Sequence, residues 1–523
     1  MKGILIINTI RIIFFGIVFS PEYSCKSDDT PVPAVPSPHT YYVTTTGSDV
    51  NTGMVDAPFK SITKALSKAI PGDTVMVRGG TYYETIKFQK SGTSDARITL
   101  KAYPGERPVI DGKYMQITGY WEGLLTFSNV RFITLDGFDV CNVVTAAPYV
   151  DPEGITIKNG CNNITIRNCN IYNIKSNATS DGWRGAHAIV VLGNSDQSVT
   201  RNIVIDGCTI HDTQTGTSET LTIAGNVDGF TISHNKLYDV ENIGIIIAGG
   251  DNLNPTGNVA TNYARNGVIS DNEVYNNSHS RSPQFWGEHA YGAIAIYVCG
   301  GANTIIERNK VYDSDRGIGL VSESNIYPTK DCIVRNNFVY NCWRTGIYMG
   351  DYLNYTTGGT KNCYVVNNTL FQNNRVAGAF DEIEGEIRLT ENCTGNVIRN
   401  NIIYARPMDV FIHKYSNTGG NNTIDNNLYY TEGTPAWIWN SVDGEPFTNF
   451  TDWQTASGVD ASSISGINPL IVSTSLPDLH LQPDSPARNS GGVISTDIQG
   501  SADIDGHTRI TNNKISKGAH QVQ

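Results

Sequence analysis

Positive charge is scarce in this chain. Across 523 residues, 38 Lys and Arg stand against 50 Asp and Glu, a formal net charge of -12, and the basic residues are scattered rather than grouped. That excludes the basic stripe by which nucleic acid is bound. Long apolar runs are equally few. The one near the start, Ile4–Phe19, is broken by Arg11, which argues against a spanning helix. Among the ten cysteines there is no Cys-x-x-Cys pair, and removing Cys25 (see below) leaves an odd nine, so neither a zinc site nor a disulfide framework is indicated. Cys169 and Cys208 occupy equivalent positions in successive repeats and read as small buried hydrophobes. No phosphate-binding glycine loop and no G-x-S-x-G elbow occurs.

What is abundant is Gly (51 residues), Asn and Thr, arranged in a recurring phrase. It reads Ile232-Ser-His-Asn235-Lys-Leu-Tyr238, then Ile269-Ser-Asp-Asn272-Glu-Val-Tyr275 and Ile306-Glu-Arg-Asn309-Lys-Val-Tyr312. It returns around Asn337, Asn368, Asn401 and Asn427, with weaker copies ending at Tyr172 and His211. A fixed phrase at intervals of a few tens of residues is the signature of a repeat architecture. Each copy alternates around β-branched residues, so it is a strand. A second strand phrase precedes each copy, as in Gly244-Ile-Ile-Ile247, Gly317-Ile-Gly-Leu320 and Gly346-Ile-Tyr-Met349. Two or three strands per turn describe a β-solenoid in which like stacks on like. The column Asn235 to Asn427 then becomes an amide ladder, because a lone buried amide would be costly and a stack satisfies it. The following Tyr/Phe column becomes an aromatic ladder. The expected fold is all-β: a parallel β-helix with an amphipathic capping helix formed by Phe59, Ile62, Leu66 and Ala69, since an open solenoid end exposes strand edges.

The organisation expected is a signal peptide over 1–24, a Pro-rich tether over 25–39, cap and first coils over 40–112, a repeat core over 113–435 and a closing segment over 436–523. The stretch Ser24-Cys25-Lys26-Ser27-Asp28-Asp29 resembles a bacterial lipoprotein signal with Cys25 as the lipidated residue, followed by a Bacteroidetes-type surface-export signal. The protein is therefore expected outside the cell, monomeric, touching membrane only through that anchor.

The opening segment "YYVTTTGSD" and "PFKSITKALSKAIPGDTVMVRGGTYYE" closely resembles the start of secreted bacterial right-handed parallel β-helix proteins, among them polysaccharide lyases acting on pectin, alginate and chondroitin-like glycans. The tail, with Ile467-Asn-Pro-Leu470, Leu479-His-Leu481, Asp505-Gly506 and Gly518-Ala519, resembles their closing segment. The resemblance implies the right-handed form and a polysaccharide partner. It is weak for reaction, since one fold hosts many chemistries.

Long turns flank the Gly-Ile-x-Ile strand at 173–187, 248–266, 276–292, 350–362 and 372–385, walling a groove suited to an extended polymer. Alternation sends Tyr297, Tyr348, Arg388 and Lys414 outward. Glu323, Asp351 and Glu391 come at nearly equal positions just past three successive strands. Stacked strands lie about 4.8 Å apart, so carboxylates one or two coils apart would match the separations of about 5–5.5 Å and 6.5–9.5 Å that retaining and inverting glycosidases use; the same cluster could instead hold Ca²⁺. Arg316 and Arg344, directly before strands, could pair with uronate carboxylates or form structural ion pairs with Asp315 and Asp351. His289, Trp286, Tyr297 and Tyr348 are candidate sugar contacts.

The segment Glu384-Gly-Glu386-Ile-Arg388-Leu-Thr-Glu391 resembles a strand of the chondroitinase-B and alginate-lyase family. The resemblance implies that Glu384 and Glu386 bind Ca²⁺ and that a following lysine removes the proton α to the uronate carboxylate. Glu391 stands where that lysine should be, leaving Arg388, Arg316 or Lys414 to substitute. The leading expectation is β-elimination on an acidic polysaccharide. Hydrolysis by an acid pair from Glu323, Asp351 and Glu391 is the second, and a glycan-binding solenoid without activity the third.

Overall fold

A computed structural model describes residues 37–523 apart from 180–182, 255, 353–354 and 379–381. The expected signal peptide, Cys25 and most of the tether lie outside the described residues. Among the latter the chain winds through three parallel sheets of 15, 13 and 12 strands. Sheet 1 opens at Thr40–Val43, sheet 2 at Gly80–Tyr82 and sheet 3 at Ile86–Phe88, and sheet 3 ends at Trp437–Trp439. One coil in full is Val227–Ser233 in sheet 1, Lys236–Val240 in sheet 2 and Ile243–Ala248 in sheet 3. Stacking is in register: Ile232 pairs with Ile269, which pairs with Ile306. Alternation drives these Ile, Val and Leu columns inward, where they are fully buried. The coils are thus a parallel β-helix.

The bend between sheets 1 and 2 is built the same way in each repeat. One residue takes the left-handed conformation: His234 (φ 54), Asp271 (φ 59), Arg308 (φ 54), Asn336, Asn367, Asn400 and Asn426. Asn, Asp and His tolerate that conformation best. Arg308 does not, and there the guanidinium is clamped by Asp271 at 2.8 and 2.9 Å. The next residue is the ladder asparagine. Asn235 Nδ2 donates to Asn272 Oδ1 at 3.0 Å, Asn272 to Asn309 at 2.9 Å, and the chain of amides continues through Asn337, Asn368 and Asn401 to Asn427. Every member is buried and every amide has its partner, as a dry interior requires. Cys169 lies beside Cys208, both buried and free.

The aromatic column stacks flat from Tyr172 through His211, Tyr238, Tyr275 and Tyr312 to Tyr340, with ring centroids 4.7–5.2 Å apart. From Phe371 onward the rings turn edge-to-face, at 81° and 85°. There Ile471, Leu479, Leu481 and Ala519 of the closing segment pack over Phe338, Phe371 and Tyr404, and the rings reorient to fit them.

At the first coils, the helix Ile62–Lys68 starts at Ser61, whose hydroxyl accepts the Lys64 N–H, and buries Ile62, Ala65 and Leu66. At the other end, helix Phe450–Ser457 lays Trp453 against Trp437, 5.9 Å between ring centroids. Among the described residues no helix is long and apolar enough to cross a membrane.

Candidate active site on the outer face of sheet 3

Register fixes which side chains share the outward column of sheet 3. It runs Thr156, Val190, Thr222, Ile246, Tyr297, Gly319, Tyr348, Arg388, His413, Ile438. Gly319 matters here: a Cβ would lie 2.7 Å from the Tyr297 ring, so only glycine lets that ring lie flat along the floor. Three clefts open over this column and join end to end. The first and second share Glu219, Thr222 and Asp251; the second and third share His279, Trp286, Gly292 and Tyr352.

The third cleft, about 670 Å³, is lined by guanidinium groups. Arg316, Arg344 and Arg388 converge on Glu384 Oε1 at 2.9, 2.5 and 2.8 Å, and Thr345 N–H donates to its other oxygen at 2.9 Å. Burial alone would raise the Glu384 pKa, but the three arginines hold it far below the carboxylate range. Glu382 joins from the rim, bonded to Arg388 at 2.6 Å and to Arg344. Three guanidinium groups thus gather around two carboxylates on this floor, with Asp351, Glu391 and Asp443 along the rest of the cleft lining. Tyr348 lies between Arg316 and Arg388, 5.3 and 5.7 Å from its ring centre. Both of those arginines are buried, and among the described residues their Nε–H groups have no hydrogen-bond partner.

The second cleft, about 630 Å³, is acidic. Glu219 stands two residues before Leu221 on its strand, and its Oε2 accepts the Thr222 hydroxyl at 3.2 Å. Burial, then the charges of Asp251 and Glu323, push its pKa up to about 8, so it keeps its proton at neutral pH. Desolvation also raises Asp251 and Glu323. Glu323 is compensated by the Tyr297 hydroxyl, which donates to it at 2.7 Å. The wall between the two clefts is His279 stacked on Trp286. It is carried on a loop whose two ends, the N–H groups of His279 and Ala293, are both held by Asp315 Oδ2, at 2.9 and 3.0 Å.

Placed against the sequence expectations, the structure brings Arg316, Arg344, Tyr348, Asp351, Arg388, Glu391 and Trp286 around the third cleft, and Tyr297, Glu323 and Trp286 around the second. Others fall elsewhere. Of the three acids expected to supply a pair, Asp351 and Glu391 line the third cleft together and Glu323 the second, bonded to Tyr297; Asp351 accepts from Asn392 Nδ2 at 2.7 Å and from Gly359 N–H, and Glu391 accepts from Ser416 at 2.7 Å and from Thr418. The rim turns cap the last two with their own donors. Lys414 is not outward. It pairs with Leu389 and Trp439 in register, one residue out of phase with the floor, which His413 occupies. Its amine is bonded to the Thr418 carbonyl at 3.2 Å and to that of Ser416. His289 bonds Tyr291 at 3.0 Å and lines none of the three clefts.

The expected Ca²⁺ pair does not fit either. Glu384 is enclosed by three cations. Gly385 (φ 79) turns the chain so that Glu386 lies fully buried with its oxygens on Asn373, at 2.9 and 2.7 Å. Burial lifts Glu386 to about 8. A divalent ion there would meet a guanidinium cluster on one side and a protonated acid on the other. Alternation could not find Asp251 or Glu382, which sit on loops. Glu219 was visible as the residue before a strand, the position Arg316 holds further along.

Residues 41–230 match the family model described as Pel9A-like, right handed beta helix region. Over 449 residues, 86% of this chain and 92% of the relative, the sequence is 31% identical to the uncharacterized protein YwoF of Bacillus subtilis (strain 168). Over 74 residues, 14% of this chain and 18% of the other, it is 47% identical to pectate lyase PEL9 of Emericella nidulans. Among solved structures, XylC in complex with xylose superposes with a TM-score of 0.52 at 14% identity, over 92% of this chain and 98% of that one, a likeness of fold. The chain therefore belongs to the right-handed parallel β-helix family that includes Bacillus subtilis YwoF, with a Pel9A-like region at residues 41–230.

Proposed function

We propose that this protein is an extracellular carbohydrate-active enzyme that holds an acidic polysaccharide along sheet 3 and hydrolyses a glycosidic bond over the acidic cleft. One observation carries the reading: Glu219, a carboxyl whose pKa burial pushes up to about 8, lines one cleft with Glu323, an acid oriented by the Tyr297 hydroxyl, next to a cleft floored by Arg316, Arg344 and Arg388. Glu219 gives its proton to the glycosidic oxygen as the bond to the anomeric carbon breaks. Glu323 takes the proton of the water whose oxygen joins that carbon. Asp251 keeps the proton on Glu219 between turnovers by like-charge repulsion. Arg316 and Arg388, on the floor of the neighbouring cleft, attract a sugar carboxylate.

A second reading, β-elimination, is favoured by the Pel9A-like match over 41–230. Its difficulty is the base. No lysine lines the three clefts among the described residues, and although burial lowers the pKa of Arg388, Glu384, Tyr348 and Glu382 together raise it. Digestion of a panel of acidic polysaccharides separates the readings. Elimination leaves a conjugated double bond that absorbs in the ultraviolet; hydrolysis leaves new reducing ends without it. Anchoring through Cys25 belongs to the same proposal, and release of a Cys25→Ala protein into the medium tests it.

A further inference from the structure

The first cleft, about 700 Å³, extends the groove beyond Glu219 toward the N-terminal coils, and its chemistry differs from the other two. Trp183 and Tyr120 form its wall, ring centroids 5.5 Å apart and both rings partly exposed. Gly185 makes this possible: a Cβ there would come within 2.4 Å of Asp151 Oδ1 and 2.5 Å of the Trp183 ring. Asp151 is buried, and among the described residues its Oδ1 has no hydrogen-bond partner. His187 directs Nδ1 to the Glu219 carbonyl at 2.8 Å. Burial keeps the ring neutral, its pKa lowered to about 4, so Nδ1 carries the proton and Nε2 keeps a lone pair. Among the described residues no Lys or Arg lines this cleft.

We infer that this cleft is a subsite for an uncharged sugar residue, whose apolar face lies on Trp183 and Tyr120 and whose hydroxyls meet the polar edge formed by Asp151 and His187. The cleft offers the carboxyl groups of Asp151, Glu219 and Asp251 and the hydroxyls of Ser218 and Thr222, which suit sugar hydroxyls; a uronate carboxylate would meet three acidic residues and, among the described residues, no cation. Aromatic rings suit the C–H face of a pyranose. Resting on the reading of sheet 3 as a glycan groove, the inference names its substrate: a heteropolysaccharide with a neutral residue seated at Trp183 and an acidic one toward Arg316 and Arg388.

The test is calorimetric titration of the full-length protein with neutral tetrasaccharides of gluco, xylo, galacto and manno configuration and with tetragalacturonate. At least one neutral ligand is expected to bind, with Trp183→Ala weakening it roughly ten-fold or more and Asp151→Asn also weakening it. Thermal melts confirm that Trp183→Ala, a change at a partly exposed ring, leaves the fold intact. Absence of neutral binding, unchanged affinity in Trp183→Ala, or a Trp183-dependent preference for tetragalacturonate each overturns the inference. Failure of every polysaccharide to be cleaved, with Trp183-dependent neutral binding retained, removes the hydrolase reading and leaves this one standing.

Discussion

The imidazole of His279 lies flat on the indole of Trp286, ring centroids 3.7 Å apart and planes 2° from parallel. Both nitrogens of His279 face oxygens, Asn242 Oδ1 at 2.8 Å and the Ala290 carbonyl at 3.0 Å. The pair stands where the acidic and guanidinium clefts meet. Any chain crossing from one to the other passes it.

Trp286→Ala is accordingly expected to lower kcat/KM on an acidic polysaccharide by roughly ten-fold, the worth of one aromatic contact, with little change in Tm. Steady-state kinetics beside a thermal melt check this. A large loss of Tm with unchanged kcat/KM would make the stack structural.

Glu219→Gln removes the proposed proton donor and is expected to reduce kcat by about 10²–10⁴-fold. In the unsubstituted enzyme, activity should fall as pH rises through about 8, where Glu219 loses its proton. A pH–rate profile of kcat/KM reads this directly.

Stability should carry a matching trend. Glu153, Glu219 and Glu386 are raised from 4.5 to about 8, and Asp151 from 3.8 to about 7, chiefly by burial. Between the lower and upper values the folded chain holds protons that the unfolded chain has released. These four groups therefore make stability fall as pH rises from about 4 to 8. Denaturant melts of Glu386→Gln should show a shallower decline over that window than the unsubstituted protein.

Arg388→Ala strips Glu382 and Glu384 of a shared partner, and removing one member of a buried ionic cluster costs about 3–5 kcal/mol. Arg388→Lys keeps the charge but not the two-pronged geometry. It should keep most of the stability while losing affinity for tetragalacturonate, measured by titration.

Because Glu384 and Glu386 do not assemble a Ca²⁺ cage, cleavage is expected to be unchanged by EDTA. Loss of activity in EDTA, restored by Ca²⁺, would contradict that reading of the pair.

Periodicity made the fold legible. The phrase ending at Asn309 and Tyr312 already specified a strand, a bend and a stack, because every coil solves the same problem of a buried amide. The site was legible only where it obeys the same period. Tyr297, Tyr348 and Arg388 follow alternation and were placed correctly. Lys414 failed because the unbroken register puts His413 opposite Arg388, and an offset of one residue moves a side chain to the other face. Asp251 and Glu382 sit on wall loops, where no period applies. For Asp351 and Glu391 the position along the coil was right, but the donors that capture their carboxylates come from neighbouring turns that spacing does not reveal.

The most direct measurement is digestion of acidic polysaccharides in water enriched in heavy oxygen, with products read by mass spectrometry and ultraviolet absorbance. Products whose new reducing ends carry the heavy oxygen and show no conjugated double bond, lost in Glu219→Gln, are what the proposed chemistry requires. Unlabelled products with an absorbing double bond, formed equally well by Glu219→Gln, would contradict it.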